Sequence, residues 1–249
     1  MNDYFGEVLT NKEIAPGVYR LDIIISKPLP HIIPGQFAML EIPREDCILR
    51  RPLGICSAKN NVISFVYQVK GEGTQSLTRL EKGDKMKVLL PLGNGFPNLK
   101  ANNIALVGGG LGVVPLYAVA EKSDCNLSVY NGFSSKENSI LTQDFEKFGR
   151  VVLCTDDGSA GYHGYPVNAL EEDIKKGYKP DVIFCCGPEP LMKAVKNLGA
   201  RYEILTYLSL EQRMGCGVGA CLTCTCKVAG SNKRVCKDGP VFCSTEVFE

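Results

Sequence analysis

The chain has 249 residues, of which 45% are apolar and 22% charged, and a net charge of +1. That length admits two ordinary domains with buried cores, and the near-neutral balance without a long Lys/Arg cluster excludes an electrostatic nucleic-acid partner. No basic stretch followed by an apolar one opens the sequence, so a cytoplasmic location is expected, and the 12 cysteines read as metal ligands and buried thiols rather than as a disulfide framework.

From Tyr4 to about Leu90, short β-type runs alternate with turns. VYRLDIII (18–25), QFAMLEI (36–42), VISFVYQV (62–69) and KMKVLL (85–90) are separated by Pro16-Gly17, Pro34-Gly35, Asn60-Asn61 and Gly83-Asp84. This is the texture of an antiparallel sheet or small barrel. Arg50 and Arg51 lead into the apolar run Pro52-Leu53-Gly54-Ile55. Arg51 could offer a bidentate fork to a pyrophosphate, although two solvated charges at a strand entry would look the same. GEGTQSL (71–77) is a glycine-rich turn and helix start, with Thr74 expected as the N-cap. Such a start can hold an anion on its free N–H groups, or be a plain turn. Both features on one small barrel fit a phosphate-bearing cofactor better than either does alone.

The domain boundary is expected in the polar stretch 95–102. Beyond it NIALVGG, LSVYNGF, VVLCT and DVIFCCG alternate with helix-like stretches around 114–122, 137–148, 167–176 and 189–197. That alternation belongs to a parallel sheet covered by helices. Residues 104–120 carry no charge, but Gly108, Gly109, Gly110, Gly112 and Pro115 make the segment a strand, a glycine turn and a helix rather than a membrane span. A turn so placed lets a pyrophosphate approach the backbone and the helix N-terminus. It is not the G-x-G-x-x-G pattern, and no acidic ribose ligand is evident in NGFSSKEN (131–138), where Ser134, Ser135 and Lys136 could even tolerate a 2′-phosphate. TDDGSAG (155–161) closes another strand. Asp156 and Asp157 are read as caps of that turn and left out of the site.

Near the end, QRMGCGVGACLTCTC (212–226) sets Cys216, Cys221 and Cys224 in a C-x4-C-x2-C run. With a distant fourth cysteine, that is the plant-type spacing for a [2Fe–2S] cluster. The interleaved glycines let the loop wrap closely around an inorganic core. A zinc ribbon would instead pair two short C-x2-C knuckles, so the spacing favours iron and sulfur over zinc. Cys226, Cys236 and Cys243 are all within reach as the fourth ligand.

With RPLG (51–54), VYQ (66–68), GEGT (71–74), VGGGLGVVPL (107–116), CGPEPLM (186–192) and the cysteine run, the sequence resembles the ferredoxin–NADP reductase superfamily. Over nearly its whole length it resembles the electron transfer subunits of NAD-dependent dihydroorotate dehydrogenase type B. The resemblance implies an FAD-binding β-barrel domain at 1–98, an NAD-binding α/β domain with a parallel sheet at 99–208 and a small [2Fe–2S] domain at 209–249. It places FAD on Arg51, Pro52, Leu53, Gly54, Val66, Tyr67, Gln68, Gly73 and Thr74. NAD falls to Gly108, Gly109, Gly110 and Gly112, with Cys186, Gly187 and Pro188 beside the nicotinamide, and the cluster to Cys216, Cys221, Cys224 and, from the segment VCKDGPVF, Cys236. Gly54 stands where the family usually has Ser. The Cys224–Cys236 gap is shorter than usual, which implies a trimmed hairpin at AGSNK (229–233).

The implied partner is an FMN-containing catalytic subunit that oxidises dihydroorotate, in a heterotetramer of two copies each, with no nucleic acid and no membrane. The two domains and the cluster loop use the available length, so the partner's chemistry is expected in that other subunit. No residue is assigned as catalytic, because hydride and electron transfer need positioning more than proton transfer. Preference for NAD over NADP rests on the resemblance alone. Diaphorase-type subunits of hydrogenases or of ferredoxin-linked NAD(P) transhydrogenases use similar modules and are the alternative.

Overall fold

The computed structural model describes residues 1–44 and 46–248. Strands β1 (Asn2–Ala15), β2 (Val18–Ile25), β3 (Phe37–Leu40), β4 (Arg51–Lys59), β5 (Val62–Gln68) and, after helix α1 (Glu72–Leu77), β6 (Lys85–Leu92) close into an antiparallel barrel in the order β1-β2-β5-β4-β3-β6. Period-two alternation drives the closure: in β6, Met86, Val88, Leu90 and Leu92 point inward while their neighbours stay wetter. Met86, Val88 and Leu90 meet Leu21, Ile23, Ile63 and Phe65 in the barrel interior. Helix α1 is tied to β1, where the Asn11 amide donates to the carbonyls of Leu77 (2.8 Å) and Leu80 (3.2 Å). Gly71, not Thr74, is the N-cap of α1. Thr74 occupies the third helical position, and its hydroxyl reaches back to accept the N–H groups of Lys70 (2.9 Å) and Gly71 (3.2 Å).

The second half supplies β7 (Asn103–Gly109), α2 (Val113–Lys122), β8 (Asn126–Phe133), α3 (Thr142–Phe145), β9 (Gly149–Thr155), β10 (Tyr162–His163), α4 (Pro166–Lys175), β11 (Val182–Cys186), α5 (Glu189–Arg201) and β12 (Leu205–Ser209). They form a sheet ordered β10-β9-β8-β7-β11-β12, parallel throughout. Helix α2 lies between this sheet and barrel strand β4, so that Val18, Cys56 and Val66 of the barrel share one core with Leu116 and Ala120. The Ser57 hydroxyl donates to the Glu121 carboxylate (2.7 Å) across the same junction.

The helix expected over 137–148 shrinks to the four residues of α3. Lys136–Asn138 forms a 3₁₀ turn, the Asn138 amide donates to the Ser134 and Ser135 hydroxyls, and Leu141 takes a left-handed φ of 59°. The Ser159 hydroxyl accepts the Lys136 N–H (2.8 Å) and the Ser139 hydroxyl donates to the Lys136 carbonyl (2.6 Å), so side chains take backbone groups a helix would need.

The C-terminal segment folds back onto both domains. A hairpin of β13 (Thr225–Val228) and β14 (Ser231–Arg234) turns at Ala229-Gly230, inside the stretch expected to be trimmed, and leads into α6 (Val235–Asp238). Strand β15 (Val241–Cys243) then adds an antiparallel edge to the sheet against β12. The core beneath the cysteine loop is shared three ways, by Met39 and Leu92 of the barrel, Leu208 of the sheet, and Cys224, Val235 and Cys236. Among the described residues no helix is long and apolar enough to cross a membrane, and the cysteines, all 12 of which lie among them, are free.

Candidate functional site

Three features line up across the molecule. The first is a break in the barrel. The β4–β5 ladder ends at the Ile55–Phe65 pair, beyond which Arg51–Gly54 pair only with β3 and Val66–Gln68 only with β2. Two strand edges therefore face each other with backbone groups available to a planar, hydrogen-bonding ligand. Arg51 stands at the mouth of this seam. Its guanidinium lies against Gly73, where a Cβ would come within 2.4 Å of Nε, and it donates to the Leu49 carbonyl. Arg50, by contrast, is held by Asp3 (2.7 Å) and Glu41 (3.3 Å). Arg50 is held by carboxylates, whereas among the described residues Arg51 pairs with none.

Tyr67 turns its side chain into the barrel, 1% exposed, where its hydroxyl meets Asn11 at 3.2 Å. Only its backbone faces the seam. Val66 belongs to the interdomain core, and Gln68 reaches open space. Gly54 looks toward the first turn of α2, where an added Cβ would meet Pro115 Cδ at 4.0 Å. A seam of bare backbone edges, with an arginine at its mouth that pairs with no carboxylate among the described residues, fits a flavin dinucleotide.

The second feature is a cavity of about 860 Å³ over the C-terminal ends of the parallel strands. Gln68 and Val18 of the barrel line it together with Gly109, Gly110 and Pro188 of the sheet domain. Strand ends in an open parallel sheet are where such folds bind ligands. The glycine turn exists because it must pack: a Cβ at Gly112 would stand 2.2 Å from the Cys186 carbonyl oxygen. The segments 108–112 and 186–188 are thereby brought together. Cys186 contributes backbone rather than thiol, since its side chain is 1% exposed and burial drives the thiol pKa far up.

The third feature is the cysteine loop. The N–H groups of Val218, Ala220 and Cys221 donate to the Cys216 sulfur at 3.4, 3.3 and 3.4 Å, and that of Cys216 to the Cys221 sulfur at 3.4 Å. The Cys236 N–H donates to the Cys224 sulfur at 3.4 Å. Arg234 donates to the Gly219 carbonyl (3.3 Å) and pairs with Asp238 (3.1 Å), which ties the loop to the helix carrying Cys236.

The four thiols thus pair two and two, Cys216 with Cys221 and Cys224 with Cys236. Among the described residues no three His, Cys, Asp or Glu side chains gather around one point for a single ion. Two pairs suit a two-iron cluster, in which each iron takes two thiolates. The pairs differ in setting. Cys224 and Cys236 are each 2% exposed, and burial raises the Cys236 thiol pKa. Cys221 is at the surface, and hydrogen bonds from Thr223 and then Cys216 bring its thiol down to about 6. Cys226 lies on β13, outside both pairs, and Cys243 on β15.

The sequence carries these features together in relatives. Residues 211–248 match the family model described as the iron–sulfur cluster binding domain of dihydroorotate dehydrogenase B. The electron transfer subunit of dihydroorotate dehydrogenase B (NAD(+)) from Listeria innocua is 42% identical over 254 residues, covering 97% of each chain. The subunit of the same name from Caldanaerobacter subterraneus subsp. tengcongensis is 38% identical, covering 97% of this chain and 96% of that one. The chain belongs to the family of dihydroorotate dehydrogenase B electron transfer subunits. A solved NADH-dependent reduced ferredoxin–NADP oxidoreductase superposes with a TM-score of 0.86 at 29% identity, over 98% of this chain and 89% of that one.

Against the family pattern, one residue escaped sequence reasoning. Asp157 does cap its turn, accepting the Ser159 N–H at 2.9 Å, but Asp156 lines the cavity. The signal that could have found it is its position, the first residue past a parallel strand's C-terminal end.

Proposed function

We propose that this protein is a cytoplasmic electron relay that passes electrons between NAD(H) and an FMN-containing dihydroorotate dehydrogenase catalytic subunit in pyrimidine biosynthesis. The two-and-two pairing of Cys216/Cys221 and Cys224/Cys236, the first reaching the surface through Cys221 and the second in a core shared with the barrel, carries this reading. Bound in the seam and the loop, FAD would take two electrons as a hydride and release them singly, and a [2Fe–2S] cluster would carry one at a time.

The chain's own residues do the positioning. Gly109, Gly110 and Pro188 hold the nucleotide against the barrel, and Gly108, Gly112, Cys186 and Gly187 set the backbone behind them. Arg51, Gly73 and Thr74 hold the FAD pyrophosphate. Pro52, Leu53, Gly54, Val66, Tyr67 and Gln68 frame the ring through strand edges. The core around Met39 and Leu92 excludes water between seam and loop, and the loop presents Cys221 outward. Residues 1–98, 99–208 and 209–249 are the three units, with two copies of the chain and two of the partner in the assembly.

A second reading, a subunit of a ferredoxin-linked transhydrogenase, draws on the 29% identity to the solved ferredoxin–NADP oxidoreductase. One experiment tests both. The chain is co-expressed with its catalytic partner, and NAD⁺ reduction is measured with dihydroorotate and with reduced ferredoxin as donors. Dihydroorotate-dependent reduction that disappears in Cys221→Ser, while NADH still bleaches the flavin, supports the relay. Reduction with ferredoxin alone favours the second reading, and loss of flavin bleaching in Cys221→Ser refutes sequential stations.

A further inference from the structure

The glycine turn at the large cavity rests on a buried side chain whose hydrogen-bonding capacity is unspent. We propose that Asn131 is a positioning residue for the dinucleotide: its carboxamide bonds the backbone of the 108–113 turn when that turn closes on the pyrophosphate. This inference rests on the function proposed above, in which the turn holds the nucleotide.

Asn131 lies near the C-terminal end of β8, between Gly108 of β7 and Leu153 of β9. Its side chain is fully buried, and neither Oδ1 nor Nδ2 has a hydrogen-bond partner among the described residues. Alternation along the strand fixes where it points. Leu127, Val129 and Phe133 share its face and enter the core beneath α2. Asn131 is therefore the polar member of an otherwise apolar row. A leucine there would leave nothing unpaired, so the stability that the amide gives up points to a role in binding.

The turn is its neighbour at both ends. Asn131 Oδ1 is 3.3 Å from where a Cβ at Gly108 would stand, and Val113 Cα is 3.1 Å from the same point. Gly108 leads into the turn, and Val113 leaves it as the first residue of α2. Between them Gly109, Gly110 and Gly112 carry no side chain to hold their peptide groups, and Gly110 is at a left-handed φ of 54°. The N–H groups at the start of a helix have no partner within it, and here they are the donors for the pyrophosphate.

When those donors take the pyrophosphate, the peptide groups behind them turn. A backbone carbonyl or N–H that swings inward meets a carboxamide able to answer either. Hydrogen bonds that the free chain forgoes are made in the complex, and that difference is binding free energy. Asn131 touches neither nucleotide nor flavin and acts through the turn.

The test uses the FAD- and cluster-loaded chain in complex with its partner subunit and compares wild type with Asn131→Leu, an apolar residue of similar size. In calorimetry the variant should bind NAD⁺ and ADP-ribose, which share the pyrophosphate, about tenfold more weakly. Flavin content and cluster absorption should hold, and Tm without nucleotide should hold or rise, because hydrocarbon has replaced an unpaired buried amide. The NADH concentration that half-saturates flavin bleaching should rise by the same factor, with the saturating rate near that of wild type. Asn131→Ala, with its smaller side chain, should lose the same affinity and decides the matter where leucine crowds the sheet. Unchanged affinity in both variants, or a loss for NAD⁺ that spares ADP-ribose, overturns the assignment while leaving the relay standing. Loss of flavin and cluster from both variants also overturns it, since Asn131 would then serve the fold. If wild type binds neither NAD⁺ nor ADP-ribose and NADH does not bleach its flavin, the relay itself is refuted and the assignment with it.

Discussion

Adjacent Arg50 and Arg51 look equivalent in sequence, and their partners separate them. Arg50 is committed to Asp3 and Glu41, whereas the Arg51 guanidinium rests on a glycine at the mouth of an open strand seam. Charge-assisted hydrogen bonds are worth about 1.5–3 kcal/mol each, so Arg51→Ala should weaken FAD retention roughly ten- to a hundredfold. Flavin-to-protein ratio after dialysis reads this directly, and an unchanged ratio would remove Arg51 from the site. Gly54 offers the opposite change. An added Cβ there meets only ordinary contact with Pro115, so Gly54→Ser supplies the hydroxyl usual in the family without a clash. One net hydrogen bond of about 0.5–1.5 kcal/mol should tighten FAD about two- to tenfold. At this scale the sequence conveyed which segments meet but not which atoms face the ligand. Tyr67 and Cys186 sit in the right segments with side chains pointing inward, because a strand alternates its faces and a motif match does not record which face is which. Asp156 was hidden for the same reason, since a pair of aspartates before Gly-Ser reads as turn chemistry whichever of them caps the turn.

At the scale of elements, the C-x4-C-x2-C spacing can be read from the sequence because it is covalent information, while only the fold shows how Cys236 and Cys226 differ in their surroundings. Helix α6 sets the Cys236 N–H on the Cys224 sulfur, and strand β13 carries Cys226 away from both pairs. Cys236→Ser should therefore abolish the visible charge-transfer absorption of the cluster, and Cys226→Ser should keep it. Retained bands in the first variant or lost bands in the second would reverse the assignment. The barrel runs and the parallel strands were readable from period-two patterns and apolar runs. Short α3 and edge strand β15 were not, because ahead of the first the Ser159 and Ser139 hydroxyls take up the Lys136 N–H and carbonyl, and the second is decided by a strand partner more than thirty residues away. The junction between β7 and β11 carries a pH signature. The Asp181 carboxylate accepts the N–H groups of Asn102 (2.7 Å) and Asn103 (2.9 Å), which holds its pKa below the ordinary 3.8. A depressed folded-state value stabilises above 3.8 and is lost as pH falls through the lower one. Asp181→Asn should accordingly lower Tm at neutral pH, with the difference from wild type closing below about pH 4. A Tm difference that persists in acid would show the carboxylate charge to be irrelevant.

Across the whole molecule, cavity, seam and cysteine loop form a sequence from a broad nucleotide cleft to a small exposed patch. The barrel and sheet share a core through α2, and the loop shares another with Met39 and Leu92, so the stations are fixed relative to one another rather than joined by a hinge. Fixed spacing suits electron transfer, and it leaves the exposed end of the loop as the surface that a partner must approach. Leu222 stands there, between Cys221 and Cys224, 60% exposed and at a left-handed φ of 62°. A leucine so placed is apolar where the loop would tolerate a polar residue and strained where asparagine would be comfortable. Both penalties make sense if the side chain is buried by the catalytic subunit. Burying a leucine is worth about 1.5–3 kcal/mol, so Leu222→Asn should weaken the complex more than tenfold. The same change relaxes the loop, so the absorption of the cluster and the bleaching of flavin by NADH should be unaffected. Size-exclusion chromatography of the variant with its partner across a dilution series reads the affinity. Full retention of the complex would move the docking face away from the loop, and loss of the cluster bands would show that Leu222 serves the fold instead.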